Sequence, residues 1–124
     1  MQHSPEFLAL VQASKAHVRE IDLAGLQALQ ASGAPFHLVD VREDREWQAG
    51  HIPGAQHLGR GVIERDAIGR FPDKGATLVL YCGGGFRSAL AADALQKMGY
   101  TAVISLDGGW KAWTGAGLPV AHES

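Results

Sequence analysis

A glycine-rich loop between an apolar run and a helical pattern constrains this chain more than any other stretch. Residues 77–81 read Thr-Leu-Val-Leu-Tyr, which is typical of a buried strand, and residues 88–95 have the composition of a helix. Between them lies Cys82-Gly-Gly-Gly-Phe-Arg87. Successive glycines adopt backbone conformations closed to other residues and leave their N–H groups free to converge on one point, as in anion-binding nests. The pattern therefore predicts a strand, an anion-binding loop and a helix in succession.

Cys82 is the only cysteine in the sequence and opens this loop. The positive end of the following helix dipole and the guanidinium of Arg87 both favour a negatively charged thiolate at this position. A lone cysteine in an arbitrary domain is more often a small apolar core residue than a nucleophile. Its place between a strand and three glycines, with an arginine five positions later, instead favours a nucleophile in an exposed anion-binding loop.

Composition limits the classes to which the protein can belong. A length of 124 residues suits one domain, and 46% hydrophobic with 19% charged residues is typical of a globular chain. The net charge of -2, with mixed signs, argues against a broad nucleic-acid face and against strong attraction to an anionic membrane. One cysteine cannot form an internal disulfide, and the apolar run at residues 7–11 is too short to span a bilayer. We therefore expect a cytoplasmic protein.

The order of predicted elements indicates an α/β fold. Helices are expected over residues 4–17, 22–30, 43–49, 62–66, 88–98 and 110–114, and strands over residues 18–21, 36–39, 55–58, 77–81 and 103–106. Strands that alternate with helices predict a layered domain around a mainly parallel sheet. Ligands of such sheets bind beyond the carboxyl ends of the strands, and Cys82 follows one of those ends.

Four blocks of this sequence resemble the rhodanese-like sulfurtransferase family, over roughly residues 18–115. The blocks are Leu38-Val-Asp-Val-Arg42 with Glu46-Trp47, Gly50-His-Ile-Pro-Gly-Ala55, Tyr81 to Ser88, and Leu106-Asp-Gly-Gly-Trp110 with Trp113. They stand in the family's order and spacing. The resemblance implies a three-layer domain with a central five-stranded sheet over residues 18–118. It leaves residues 1–17 as a helical extension and residues 119–124 as a tail.

The resemblance further implies that Cys82 is the catalytic nucleophile of a two-step sulfur transfer. The thiolate would take a sulfur from a donor such as thiosulfate or a persulfide, and a thiol, cyanide or a protein acceptor would then discharge the resulting cysteine persulfide. The rest of the loop would bind the substrate and the persulfide, namely Gly83, Gly84, Gly85, Phe86, Arg87 and Ser88. No cofactor or metal is implied. Because the chain has no second cysteine, the acceptor thiol must come from outside it.

Five residues outside the loop are candidates for supporting positions. We expect Asp40 and Arg42 to form a structural ion pair behind the active site, since either charge alone would be costly to bury. Trp47, His51 and Arg60 are candidates for the rim of the substrate pocket. Of these, Arg60 is interpreted either as a second anion contact or as a solvated side chain.

The length of the loop separates the alternative functions. Four residues stand between Cys82 and Arg87, one fewer than in related dual-specificity phosphatases. By analogy with the family, the shorter loop favours sulfur transfer over a phosphatase or an arsenate reductase of the same fold. A persulfide carrier that serves one protein partner is a further alternative. The natural donor and acceptor and the oligomeric state are left open.

Overall fold

Five parallel strands form the centre of the structure, a computed structural model that describes residues 3–122. In chain order they are β1 (Arg19–Ile21), β2 (His37–Asp40), β3 (Gln56–His57), β4 (Leu78–Tyr81) and β5 (Val103–Leu106). They lie in the spatial order β1-β5-β4-β2-β3, so β4 is the central strand. The predicted α/β fold with a five-stranded sheet is confirmed, and each of the four strand pairings is parallel.

Six helices in the described part of the chain connect and cover these strands. They are α1 (Pro5–Lys15), α2 (Leu23–Ser32), α3 (Asp44–Ala49), α4 (Ile63–Arg70), α5 (Phe86–Lys97) and α6 (Gly109–Gly115). The first two begin at side-chain caps that the sequence pattern predicts. The Ser4 hydroxyl accepts the N–H of Phe7, and the Asp22 carboxylate accepts the N–H of Gly25.

Two helices differ from their predicted bounds. The pattern predicts α4 over residues 62–66, but α4 continues to Arg70, because Ile63 and Ala67 one turn later are both buried. Residues 86 and 87 are predicted to belong to the loop, yet they form the first turn of α5. Gly85 precedes them with a φ of 115°, in the region that favours glycine. The glycine run therefore leads directly into the N-terminus of a helix.

Side chains of the central strand alternate between two apolar layers. Leu78 and Leu80 pack in the layer that contains α4 and α5, whereas Val79 and Tyr81 pack with α2 and α6. Each such apolar side chain, when fully buried, contributes about 1.5–3 kcal/mol of hydrophobic stabilisation. Cys82 continues the alternation and belongs to the first layer. The strand thus directs the cysteine beneath the start of α5.

The N-terminal helix α1 packs against the outside of α5. Val11 and Ser14 are buried there, and the Ser14 hydroxyl donates to the Asp93 carboxylate at 3.0 Å. The expected division between residues 1–17 and the rest of the domain stays a prediction. Within residues 3–122, none of the helices combines the length and apolarity that crossing a membrane requires.

The N-terminus of α6 lies beneath the cysteine loop and binds its carbonyl groups. The Trp110 N–H donates to the Cys82 carbonyl at 2.8 Å. The Lys111 N–H donates to the Gly83 carbonyl at 3.0 Å. Close approach requires Gly109, whose φ is 49° and whose added Cβ would collide with the Cys82 carbonyl oxygen. The loop therefore rests on the helix through backbone contacts.

The substitution Gly109→Ala is expected to destabilise the fold by about 2 kcal/mol, because the new Cβ meets both an unfavourable backbone conformation and the Cys82 carbonyl. Urea unfolding followed by circular dichroism measures the loss. The matched control is Gly115→Ala in the same helix, where no atom lies within 4 Å of the added Cβ. That control is expected to be neutral or stabilising by up to about 1 kcal/mol. Equal losses for the two variants would contradict the packing described for α6.

Candidate active site

Backbone N–H groups of the loop point at the sulfur of Cys82. The Gly85 N–H lies 3.2 Å from Sγ and the Ser88 N–H lies 3.3 Å from it. Ser88 is in the first turn of α5, where N–H groups have no partner within the helix. These donors and the positive end of the helix dipole act on the same atom, so the site stabilises negative charge on the sulfur.

One peptide unit shows how α6 creates this arrangement. The Gly84 carbonyl accepts the Gly108 N–H at 3.1 Å, which directs that carbonyl toward the start of α6. The N–H of the same peptide unit belongs to Gly85 and points the opposite way, at Sγ. The glycines at positions 108 and 109 and the cysteine loop therefore form one structure, although they are distant in sequence.

The sulfur is more enclosed than the sequence predicts. The loop is expected to be exposed, but Cys82 itself is only 1% exposed. The cause is the alternation along β4, which turns this side chain toward α5 and not toward solvent. Gly83 is half-buried and Gly84 is exposed, so the loop next to the sulfur does reach solvent.

Two fully buried serines lie behind the sulfur. The Ser88 hydroxyl is 3.5 Å from Cys82 Sγ and 2.8 Å from the hydroxyl of Ser105. Hydroxyl groups both donate and accept hydrogen bonds, so the two serines can adjust their hydrogen bonds to a neutral or a negatively charged sulfur. A thiol at Cys82 donates to the Ser88 hydroxyl. A thiolate instead accepts from the Ser88 hydroxyl, which then accepts a hydrogen bond from Ser105. Sequence reasoning missed Ser105. The available signal was its position inside the apolar run of β5, because a buried hydroxyl needs a hydrogen-bond partner.

Arg87 lies at the rim of the loop, but its charge is paired. The guanidinium donates to both oxygens of the Glu46 carboxylate, at 2.7 and 3.1 Å. The same guanidinium stays beside the loop, since a Cβ built on Gly83 would lie 3.2 Å from Arg87 Nη2. Glu46 also accepts the Glu43 N–H at 3.0 Å, which fixes the carboxylate at the start of α3. An anionic substrate must therefore compete with Glu46 for Arg87.

The ion pair with Arg87 determines the charge of Glu46. Hydrogen bonds from Arg87 are the largest cause that lowers the pKa of Glu46, from 4.5 to about 2, against an opposing effect of burial. The same pair raises the pKa of Arg87. The sequence interpretation gave Glu46 no role. The available signal was that Glu46 lies in the segment after β2, at the sheet edge that also carries the cysteine loop.

Asp40 and Arg42 form a buried ion pair at the end of β2. Arg42 donates to both Asp40 oxygens at 2.8 to 3.1 Å and donates to the Gly50 carbonyl at 2.7 Å. Its guanidinium lies over the Trp110 ring, 4.6 Å from the centroid. These contacts join the end of β2 to the segment after α3 and to α6. No hydrogen bond connects the pair with Sγ among the described residues.

Trp47 and His51 are buried, and their rings contact each other. Their rings stack with centroids 3.5 Å apart and planes within 5°. Trp47 is 9% exposed and His51 is 6% exposed. The His51 Nδ1 is also 3.3 Å from the Trp47 carbonyl oxygen. Both side chains therefore pack inside the domain at the C-terminal end of α3.

A cleft of about 880 Å³ opens beside Arg87. Its apolar walls include Phe7 and Leu10 from α1, and Arg60 lines it together with Arg87. Cys82 is not part of the lining, but Arg87 borders both the cleft and the cysteine loop. Arg60 lines this cleft, whereas Trp47 and His51 do not, and the assignment of the three residues to a substrate pocket stays a prediction.

Known proteins are similar to this chain in sequence and in structure. The family profile described as "Rhodanese-like domain" matches residues 22–116. The probable adenylyltransferase/sulfurtransferase MoeZ of Mycobacterium tuberculosis is 40% identical over 83 residues, which are 66% of this chain and 21% of MoeZ. The putative sulfur carrier protein YrkF of Bacillus subtilis is 32% identical over 98 residues, which are 79% of this chain and 52% of YrkF. This chain therefore spans about a fifth of MoeZ and about half of YrkF.

A relative of similar length and two solved structures add to this comparison. The thiosulfate sulfurtransferase GlpE of Pseudomonas fluorescens is 41% identical over 87 residues, which are 70% of this chain and 76% of GlpE. A Staphylococcus aureus rhodanese-like domain protein has a TM-score of 0.76 at 29% identity, covering 86% of this chain and all of that one. A Rhodopseudomonas palustris protein of unknown function, described as a possible tyrosine phosphatase, has a TM-score of 0.84 at 33% identity and covers 98% of both chains.

The substitution Glu46→Gln removes a carboxylate whose folded pKa of about 2 lies below its ordinary 4.5. A lowered pKa stabilises the fold above pH 4.5, and this stabilisation is lost as the pH falls toward 2. The pair is partly exposed, so wild type should exceed the variant in unfolding free energy by about 1 kcal/mol at neutral pH. The difference should shrink toward zero between pH 4.5 and 2. Urea unfolding of both proteins across this range measures it, and a constant difference would contradict the assignment.

Proposed function

Because this chain belongs to the rhodanese-like domain family, we propose that it is a sulfurtransferase that carries sulfur as a persulfide on Cys82. Sulfurtransferases among its relatives support transfer of sulfur in general. The observation that carries the proposal is the convergence of the Gly85 and Ser88 N–H groups on Sγ, at 3.2 and 3.3 Å. Such donors stabilise a thiolate and, after loading, a persulfide anion.

Loading begins with the Cys82 thiolate, which attacks the outer sulfur of a donor such as thiosulfate. The sulfur–sulfur bond of thiosulfate breaks, and sulfite leaves with the electron pair. One new sulfur–sulfur bond forms on Cys82, and the negative charge moves to its outer sulfur. In this proposal Arg87 leaves Glu46 to hold the departing sulfite, as a guanidinium holds an oxyanion.

Discharge is the reverse exchange with a different nucleophile. Cyanide or a thiolate attacks the outer sulfur of the persulfide, the bond to Sγ breaks, and Cys82 recovers the electron pair as a thiolate. The products are thiocyanate or the persulfide of the acceptor. Covalent storage between two half-reactions predicts ping-pong kinetics. A cytoplasmic setting belongs to the proposal, because a reducing compartment keeps the single cysteine available as a thiol.

The phosphatase description of the Rhodopseudomonas protein makes dephosphorylation the second candidate. In a phosphatase of this kind, the loop N–H groups must surround a tetrahedral phosphate that is bound to the sulfur. In this chain the Gly85 and Ser88 N–H groups already lie within hydrogen-bond distance of Sγ. The loop thus closes around the sulfur itself, which supports a single sulfur atom, and not a phosphate, as the group that Cys82 carries.

A persulfide carrier differs from an enzyme in its donor and acceptor, not in its cysteine chemistry. The relative YrkF is described as a putative sulfur carrier protein. A carrier would be loaded readily by another persulfide and poorly by free thiosulfate. The donor preference of the purified protein therefore separates these two versions of sulfur transfer.

Incubation with thiosulfate is expected to add one sulfur atom to Cys82, because the loop stabilises the resulting persulfide. Intact-mass spectrometry detects the adduct, and added cyanide should remove it as thiocyanate. Cys82→Ser provides the control, since it keeps the fold and lacks the sulfur. Absence of any adduct from thiosulfate and from a small persulfide would refute sulfur transfer. Hydrolysis of an aryl phosphate by wild type but not by Cys82→Ser would favour the phosphatase.

The substitution Arg87→Ala is expected to lower loading by thiosulfate about tenfold or more, with a smaller effect on an uncharged persulfide donor. The variant also frees the Glu46 carboxylate to repel anions. The double variant Glu46→Gln, Arg87→Ala therefore separates lost attraction from added repulsion. Rates of adduct formation at several donor concentrations provide the measurement. Equal losses with both donors would contradict an anion-binding role for Arg87.

A further inference from the structure

Glu46 occupies the cation that an anionic substrate would need. Arg87 lies against the cysteine loop, since its Nη2 would be 3.2 Å from a Cβ built on Gly83. Its Nη1 donates to Glu46 Oε1 at 2.7 Å, and its Nη2 donates to Glu46 Oε2 at 3.1 Å. Two parallel hydrogen bonds between a guanidinium and a carboxylate form a strong and directional pair. An anion that binds these two nitrogens must therefore displace Glu46.

The Glu46 carboxylate is also held from the side of α3. It accepts the Glu43 N–H at 3.0 Å, at the start of the helix. The next residue, Trp47, is buried and stacks on His51. Glu46 therefore keeps its place at the rim when Arg87 turns away from it. Even at the ordinary pKa of 4.5 the carboxylate is ionised at neutral pH, so it then repels an anion beside the loop.

A second cation beside the loop, Lys15, is paired as well. Its Nζ lies 5.4 Å from the centroid of the Phe86 ring, in the first turn of α5. The same Nζ is 3.3 Å from Glu20 Oε2 and 3.8 Å from Asp107 Oδ1. Its charge is thus offset by two carboxylates. The pairing of cations on both sides of the loop leaves a negatively charged donor with little attraction.

The large cleft does not supply the missing charge at the sulfur. Arg45 and Arg60 are part of its lining, but Cys82 is not. Glu43 and Asp44 line the same cleft and offset the charge of these arginines. The charge that a donor meets at the sulfur is therefore set at the rim of the cysteine loop.

We propose, resting on the sulfur transfer proposed above, that Glu46 selects the sulfur donor by its charge. A dianion such as thiosulfate must break the pair with Arg87, whereas an uncharged persulfide, RSSH, leaves it intact. The preferred donor is therefore a neutral persulfide. The Cys82 thiolate attacks its outer sulfur, the bond between the two donor sulfurs breaks, and RS⁻ leaves with the electron pair. The transferred sulfur keeps its proton until the new persulfide ionises, so no other oxidant or reductant takes part.

A series of donors that differ in charge tests this selection. Thiosulfate carries two negative charges, methanethiosulfonate carries one at a similar size, and a neutral alkyl persulfide carries none. Glu46→Gln should raise the loading efficiency with thiosulfate about tenfold, because Arg87 becomes free to bind it. The gain should be smaller with methanethiosulfonate and absent with the neutral persulfide. Initial rates of adduct formation at several donor concentrations, followed by intact mass, measure each efficiency.

Two variants separate the position of the carboxylate from the net charge of the protein. Asp44→Asn removes one negative charge from the neighbouring exposed wall of the cleft. It should change each efficiency by less than about twofold, because water and salt screen an exposed charge. The double variant Glu46→Gln, Arg87→Ala should lose the gain with thiosulfate, since the freed cation is then absent.

Loading by the neutral persulfide is measured first, so that failure of sulfur transfer is recognised separately. If no donor adds sulfur to wild type or to Glu46→Gln, sulfur transfer is refuted and this proposal with it. If the persulfide loads both proteins but Glu46→Gln leaves thiosulfate use unchanged, the role of Glu46 alone is overturned. Equal gains with all three donors would also overturn it, as would an equal gain in Asp44→Asn, because the net charge would then decide.

Discussion

The hydrogen bonds between α6 and the carbonyl groups of the cysteine loop are the contacts on which the site depends. Each peptide unit directs its carbonyl and its N–H in opposite directions. The Gly108 N–H holds the Gly84 carbonyl on one side, so the Gly85 N–H faces Cys82 Sγ on the other. Gly109 permits this approach because any side chain there would collide with the loop. The charge-stabilising property of the loop is thus built by a helix that follows it by more than twenty residues.

Local patterns predicted the fold, whereas contacts between distant elements could not be predicted. A few neighbouring residues are enough to recognise the helix caps at Ser4 and Asp22 and the apolar strand β4. The pairing of Arg87 with Glu46 joins residues 41 apart, and its geometry follows from how α3 and α5 pack. The enclosure of Cys82 has a similar origin, since it depends on which face of the sheet α5 covers. Sequence therefore identified the loop but not its partners.

The N-terminal helix contributes more to the site than a simple extension would. The family profile begins at residue 22, after α1 has ended. Yet Phe7 and Leu10 of α1 line the cleft, and the Phe7 ring lies 6.2 Å from the ring of Phe86 in the first turn of α5. The Rhodopseudomonas structure covers 98% of this chain, so that likeness includes α1. This wall of the cleft is therefore supplied from outside the segment that the family profile matches.

The charges near Cys82 fit the proposed sulfur transfer, in which the cysteine binds a sulfur atom and later releases it. Neutral N–H groups at 3.2 and 3.3 Å stabilise the charge on Cys82, while the nearby Arg87 is neutralised by Glu46. An arginine without an ion-pair partner at the same place would bind the proposed persulfide more tightly, and tighter binding of an intermediate raises the barrier to its discharge. In the proposed reaction, the pairing of Arg87 with Glu46 thus reduces the positive charge beside the loop and favours release of the sulfur.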